Sequence, residues 1–151
     1  MTSQVIAPIF AVAYEEGMTL RTNEAGQTRS MSMSTKQNVM QRYIDAWNET
    51  DAGRRRAILA EVYTEDCTYT DPLAAVSGRD GIDQLIAGVQ KQFPGLVFSL
   101  AGKVDTHHDQ ARFTWHAGAL GHEPAVIGFD VAVLEGDRIR SVYGFLDKVP
   151  G

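Results

Sequence analysis

Apolar residues recur along this chain in two different periods, and the change from one to the other divides it. From Ser34 onward, Val39, Met40, Tyr43, Ile44 and Trp47 fall three or four positions apart, which predicts an amphipathic helix. Ser34 and Gln37 form a capping-box pattern at its start. Asp51 can cap a second, shorter helix with Ile58, Leu59, Val62 and Tyr63 on its apolar side. Cys67–Thr70 is β-prone and stops at Asp71-Pro72, because proline cannot donate to a central ladder. Ile82, Leu85, Ile86, Val89 and Phe93 predict a third helix that Pro94-Gly95 ends.

Beyond Gly95 the period shortens towards two. Strands are expected over 96–104, 111–117, 124–134 and 138–149, with Glu135-Gly136-Asp137 as the turn of the last hairpin. Helices gathered before a run of hairpin-connected strands predict an α+β fold with a mostly antiparallel sheet. In the strand around Asp130, one face carries Val126, Gly128, Asp130, Ala132 and Leu134, and the other Ile127, Phe129, Val131 and Val133. Both faces are largely apolar. Helices can cover only one of them, so the second suggests a partner subunit and a homodimer formed through the sheet.

Residues 1–33 show no sustained period, and 24–30 are polar and turn-like. They are expected to be a poorly ordered extension before a single domain over 34–151, or else a tail that docks through Ile6, Ile9, Phe10 and Val12. The apolar stretch from Val5 to Tyr14 contains Pro8, lacks a basic flank and is too short to span a bilayer. Neither a signal peptide nor a membrane helix is expected, and the default location is cytoplasmic.

The net charge of −5 argues against a nucleic-acid partner, which requires clustered Lys and Arg. The one basic run, Arg54-Arg55-Arg56, reads as a solvated helix face. Cys67 is the only cysteine, so neither an intrachain disulfide nor a cysteine-rich zinc site can form. His107 and His108 are adjacent and His116 and His122 have no chelating spacing, so no metal site is expected. No glycine-rich phosphate loop or nucleophile elbow is present, and no cofactor is expected.

Two carboxylates have apolar or aromatic neighbours. Asp130 sits inside Val126–Val133, where burial is costly unless the group is paired, hydrogen-bonded or protonated. It reads either as a functional acid or as a structural partner of a helix cap or a tyrosine. Asp71 reads either as a site residue or as a strand-ending turn, since Asp-Pro starts turns. Tyr43 lies on the apolar stripe of the first helix, where a buried hydroxyl needs a partner. Trp47, Tyr69, Trp115, Tyr143 and Phe145 are expected as core or as walls of a ligand pocket.

Several segments together carry a family resemblance. They are Gln41-Arg42-Tyr43, Ala46–Asp51, Tyr63–Pro72, Ser77–Ile82 and Ile127-Gly128-Phe129-Asp130. With them, 34–149 resembles the nuclear-transport-factor-2-like (NTF2-like) superfamily, within it the SnoaL-like polyketide cyclases and the ketosteroid isomerases. The resemblance implies a cone-shaped fold, with three N-terminal helices packed on a curved, mostly antiparallel sheet around an enclosed apolar pocket. Tyr43, Asp71 and Asp130 match, in order, the helix-one tyrosine, the aspartate before a proline and the late-strand aspartate of ketosteroid isomerases. It then implies that Asp71 is the base beside a carbonyl and that Tyr43 and neutral Asp130 donate to the enolate oxygen. In a cyclase Asp130 would serve as acid/base instead. The expected activity is that of a cofactor-free isomerase or cyclase acting on a small apolar carbonyl compound. The alternative is a ligand-binding or protein-docking module with no turnover.

Overall fold

A computed structural model describes the backbone of residues 24–151 and the side chains from residue 35 onward. Among the described residues three helices and one six-stranded sheet alternate as α1 (Glu24–Asn48), α2 (Ala52–Val62), β1 (Tyr63–Asp71), β2 (Ala74–Ser77), α3 (Gly78–Gln92), β3 (Leu96–His107), β4 (Gln110–Ala119), β5 (Val126–Glu135) and β6 (Arg138–Lys148). The fold is therefore α+β. The third helix follows the first two strands, so the helices do not form one N-terminal block.

α1 starts at Glu24, ten residues before the expected cap at Ser34. Gln27, Arg29, Met31 and Met33 are good helix formers and no proline interrupts them, so the helix continues upstream. The rest of the expectation for residues 1–33 lies outside the described residues. Val39, Met40, Tyr43, Ile44, Ala46 and Trp47 bury one stripe of α1 against the sheet. α2 is capped as expected, the Asp51 carboxylate accepting from the Arg54 amide at 2.8 Å.

The basic run of α2 departs from its expected solvated face. Arg54 and Arg56 are exposed, but the Arg55 side chain is only 4% exposed and pairs with Asp83 of α3 at 2.7 Å. Its guanidinium also donates to the Glu49 carbonyl and to Gln90, each at 3.1 Å. Successive helical residues lie about 100° apart, so three in a row cannot share one solvent face. The middle arginine turns inward and ties α2 to α3.

The sheet order is β2-β1-β6-β5-β4-β3, antiparallel except where β1 runs parallel to β6. β2 lies where a loop was expected; four residues are too few to show a period. Register shifts interrupt the ladders at Tyr63/Thr68, Ala101/Asp105, Ile127/Gly128 and Val133/Leu134. Such irregularities bend strands and raise their twist. The helices pack on the face that carries Phe113, Trp115, Val126, Asp130, Ala132 and Leu134, all buried. The opposite face carries Ile127, Phe129, Val131 and Val133, each only partly buried. Among the described residues no helix is long and apolar enough to cross a membrane.

Candidate active site

The inner face of β5 is lined with small residues around one carboxyl. Gly128 and Ala132 flank Asp130 on its own strand, and Phe113 and Gly144 stand opposite it on β4 and β6. Asp130 has no exposed surface. The Tyr43 hydroxyl of α1 meets its Oδ2 at 3.1 Å, and Trp115 Nε1 of β4 donates to its Oδ1 at 3.2 Å. Burial pushes the Asp130 carboxyl well above the usual carboxylate range, since ionisation would place a charge where no water reaches. The two hydrogen bonds oppose that shift, and the negative charge of Asp71 adds to it.

Asp71 closes β1 at the edge of the same cluster. Its Oδ1 accepts from the amides of Leu73 and Ala74 at 2.7 and 2.8 Å, and its Oδ2 from the Tyr69 hydroxyl at 2.5 Å. Asp71 therefore shapes the Asp-Pro turn, as one of its sequence readings expected, and its second oxygen meets the buried Tyr69. Partial burial raises its pKa, and the three hydrogen bonds pull it back. The two carboxyls thus sit in different surroundings, one half-buried and well solvated by donors, the other sealed.

Aromatic rings fill the space around them. Tyr43 packs edge-on against Phe113 with centroids 5.8 Å apart, and Trp47 lies 6.2 Å from Tyr69 and 5.6 Å from Phe98. Tyr63 also belongs here, fully buried with its ring 6.1 Å from Tyr43. It was expected on the apolar side of the second helix but is the first residue of β1. Buried Cys67 and Tyr69, two residues apart on that strand, mark the inward face that Asp71 extends. Burial drives the Tyr43, Tyr63 and Tyr69 hydroxyls well above the ordinary phenol range, so all three remain neutral donors.

Two expected pocket residues lie elsewhere. Tyr143 and Phe145 are 48% and 57% exposed, on the outer face of β6. The ladder pairs Leu134 with Ile139 but Val133 with Ser141, so β6 carries an extra residue near Arg140. That residue reverses the inward–outward parity, and Val142 and Gly144 take the buried places. Trp47, Tyr69 and Trp115 are on the inner side as expected.

A surface cleft of about 510 Å³ approaches the aromatic group from the ends of α1 and α3. Val89, Phe93, Leu96 and Phe98 line it, and Phe98 reaches inward to within 6.4 Å of the Trp115 ring centroid. The Asn48 side chain holds Phe98 by both backbone groups, donating to its carbonyl at 2.9 Å and accepting from its amide at 2.8 Å. It thereby stands in for a neighbouring strand at the sheet edge. Among the described residues no group of three or more His, Cys, Asp and Glu side chains could hold a metal ion.

The model of the SnoaL-like domain matches residues 40–142, a span that contains Tyr43, Asp71, Trp115 and Asp130. The chain belongs to the SnoaL-like family. A crystal structure of a SnoaL-like protein from Agrobacterium tumefaciens, provisionally named an isomerase, is 37% identical. That similarity covers 76% of this chain and 99% of the other, with a TM-score of 0.72. A Jannaschia protein, provisionally named a SnoaL-like polyketide cyclase, is 18% identical over 76% of this chain and 86% of its own, with a TM-score of 0.62. A Kribbella flavida protein, provisionally named a ketosteroid isomerase, is 15% identical over 80% and 82%, with a TM-score of 0.59. The last two show the shared NTF2-like fold alone. None of the curated proteins matches this SnoaL-like chain.

Proposed function

We propose that this SnoaL-like protein is a cofactor-free acid/base enzyme, an isomerase or a cyclase, acting on a small apolar carbonyl compound. The observation that carries the reading is the pair of carboxyls in contrasting environments within one aromatic cluster. Asp71 is half-buried and accepts three hydrogen bonds, which suits a base. Asp130 is sealed and strongly biased to its neutral form, which suits an acid. In this reading Asp71 removes a proton from the carbon next to the carbonyl. Tyr43, backed by Asp130, donates to the oxygen where negative charge develops.

Tyr43, Tyr69, Trp115 and Asp130 have no exposed surface. A ligand therefore reaches them only when covering side chains move, either beside half-buried Asp71 or past Phe93 and Phe98 from the cleft. A second reading, a binding module without turnover, is favoured by one observation: both oxygens of Asp130 and both of Asp71 are already bonded within the protein. Each reading includes a cytoplasmic protein that pairs with a second copy through the outer sheet face.

Deuterium incorporation into a simple cyclic enone, followed by proton NMR, separates the two. The enzyme reading expects exchange at the carbonyl-adjacent carbon with the wild-type protein and its loss in Asp71→Asn. Equal exchange rates in both proteins would sink the assignment of Asp71 as base.

A further inference from the structure

Trp115 and Gly128 stand directly opposite each other on β4 and β5. A Cβ at Gly128 would fall 1.8 Å from Trp115 Cζ2, 2.0 Å from Cε2 and 2.5 Å from Nε1. The indole therefore lies in the space that any other residue at 128 would fill. From there its N–H reaches along β5 to the residue two positions on, Asp130. Glycine at this position is what lets the ring lie flat on the strand and aim at the carboxyl.

The chemistry of the two donors is unequal. An indole N–H can only donate, whereas a phenol can donate or accept. Asp130 Oδ1, facing Trp115, is bound to act as an acceptor. A proton on this carboxyl is then confined to Oδ2, the oxygen 3.1 Å from the Tyr43 hydroxyl. The phenol donates to Oδ2 when the carboxyl is ionised; when Oδ2 carries the proton the same contact runs the other way, and the Tyr43 O–H is released for a ligand oxygen. The titratable groups acting on Asp130 are Tyr43 from α1 and Asp71, Tyr63 and Tyr69 from β1. The phenols are neutral, and the charge on Asp71 favours a proton on Asp130.

We propose that Trp115, seated on Gly128, is a positioning residue that confines the Asp130 proton to the oxygen facing Tyr43, so that the acid acts on a ligand through Tyr43. This deepens the acid/base reading and rests on it for its function. The geometry itself is testable without any substrate.

The indole N–H resonance of Trp115, assigned through Trp115→Phe, reports the bond directly. Asp130→Asn should keep its downfield shift, because the amide oxygen can take the place of Oδ1 and the amide nitrogen can donate to Tyr43. Asp130→Leu should move it upfield, and so should Gly128→Ala, which displaces the ring and leaves the tryptophan in place. An unchanged shift in Asp130→Leu would overturn the assignment. Gly128→Ala could fail to fold, so infrared spectroscopy supplies a second readout. The carbonyl stretch of protonated Asp130, identified by its absence in Asp130→Asn, should rise in frequency in Trp115→Phe as Oδ1 loses its donor. A band that does not move would equally overturn the proposal. If both spectroscopic results hold and no proton exchange is found, the positioning stands and the enzyme reading falls.

Discussion

Replacing Asp130 by leucine keeps the branched shape of the side chain, in a somewhat larger volume, and removes the acceptor of Trp115 and the hydrogen-bonding partner of Tyr43. Each buried polar group that loses such a hydrogen bond costs about 1–3 kcal/mol. Two of them sum to about 2–6 kcal/mol. Leucine returns about 1.5–3 kcal/mol through added apolar burial. Taking the middle of each range, the net loss is about 2 kcal/mol. Asparagine is the control, since it keeps an acceptor for the indole and a donor for the phenol.

Urea unfolding at equal m-values measures the difference between the two variants. The pH dependence adds a second check. The folded pKa of Asp130 is raised, so above the ordinary carboxylate pKa the unfolded chain gives up its proton first. Wild-type stability contributed by this group is then full in acid and falls as pH rises towards the folded pKa. Asp130→Asn lacks that loss, so it should gain on wild type with rising pH and converge with it in acid. Leucine proving as stable as asparagine, or a wild-type protein that gains on asparagine with rising pH, would refute the reasoning.

Asp83→Ala should destabilise the fold by about 3–5 kcal/mol, because it strands the Arg55 charge in a site where its side chain is 4% exposed; chemical denaturation measures this, and a loss below about 1 kcal/mol would show that the network with Gln90 and Glu49 suffices. Phe145→Asp should convert a dimer into a monomer in sedimentation at micromolar concentration. The outer face combines Phe129, Val131, Tyr143 and Phe145 in direct cross-strand pairs, and pairing two such faces suits an interface of about 800 Å² per partner. A wild-type protein that sediments as a monomer would remove the dimer from the proposal.

The helical stripe of α1 and the two faces of β5 were legible because each keeps one unbroken period, and Asp130 could be seen as a buried polar group among apolar neighbours. The hairpin turn at Gly136, with its positive φ of 67°, follows from the residue type itself. What the sequence hid were breaks in period. One extra residue near Arg140 turned Tyr143 and Phe145 outward, and a register shift between Tyr63 and Thr68 separated Tyr63 from the strand it begins. Arg55 was hidden for a different reason: its inward turn depends on Asp83, 28 positions away. The need for glycine at 128 was not legible either, because it comes from the Trp115 ring that lies across from it on β4.

Asp71 ionised beside a neutral Asp130 is the condition on which the proposed chemistry depends. Carboxyl-carbon NMR titration of the whole protein, with the two resonances assigned through Asp71→Asn and Asp130→Asn, measures it directly. Asp71 should ionise at the lower pH, while Asp130 remains protonated through that transition and moves only slightly as Asp71 titrates. Ionisation of Asp130 ahead of Asp71, or together with it, would contradict the acid and base roles assigned here.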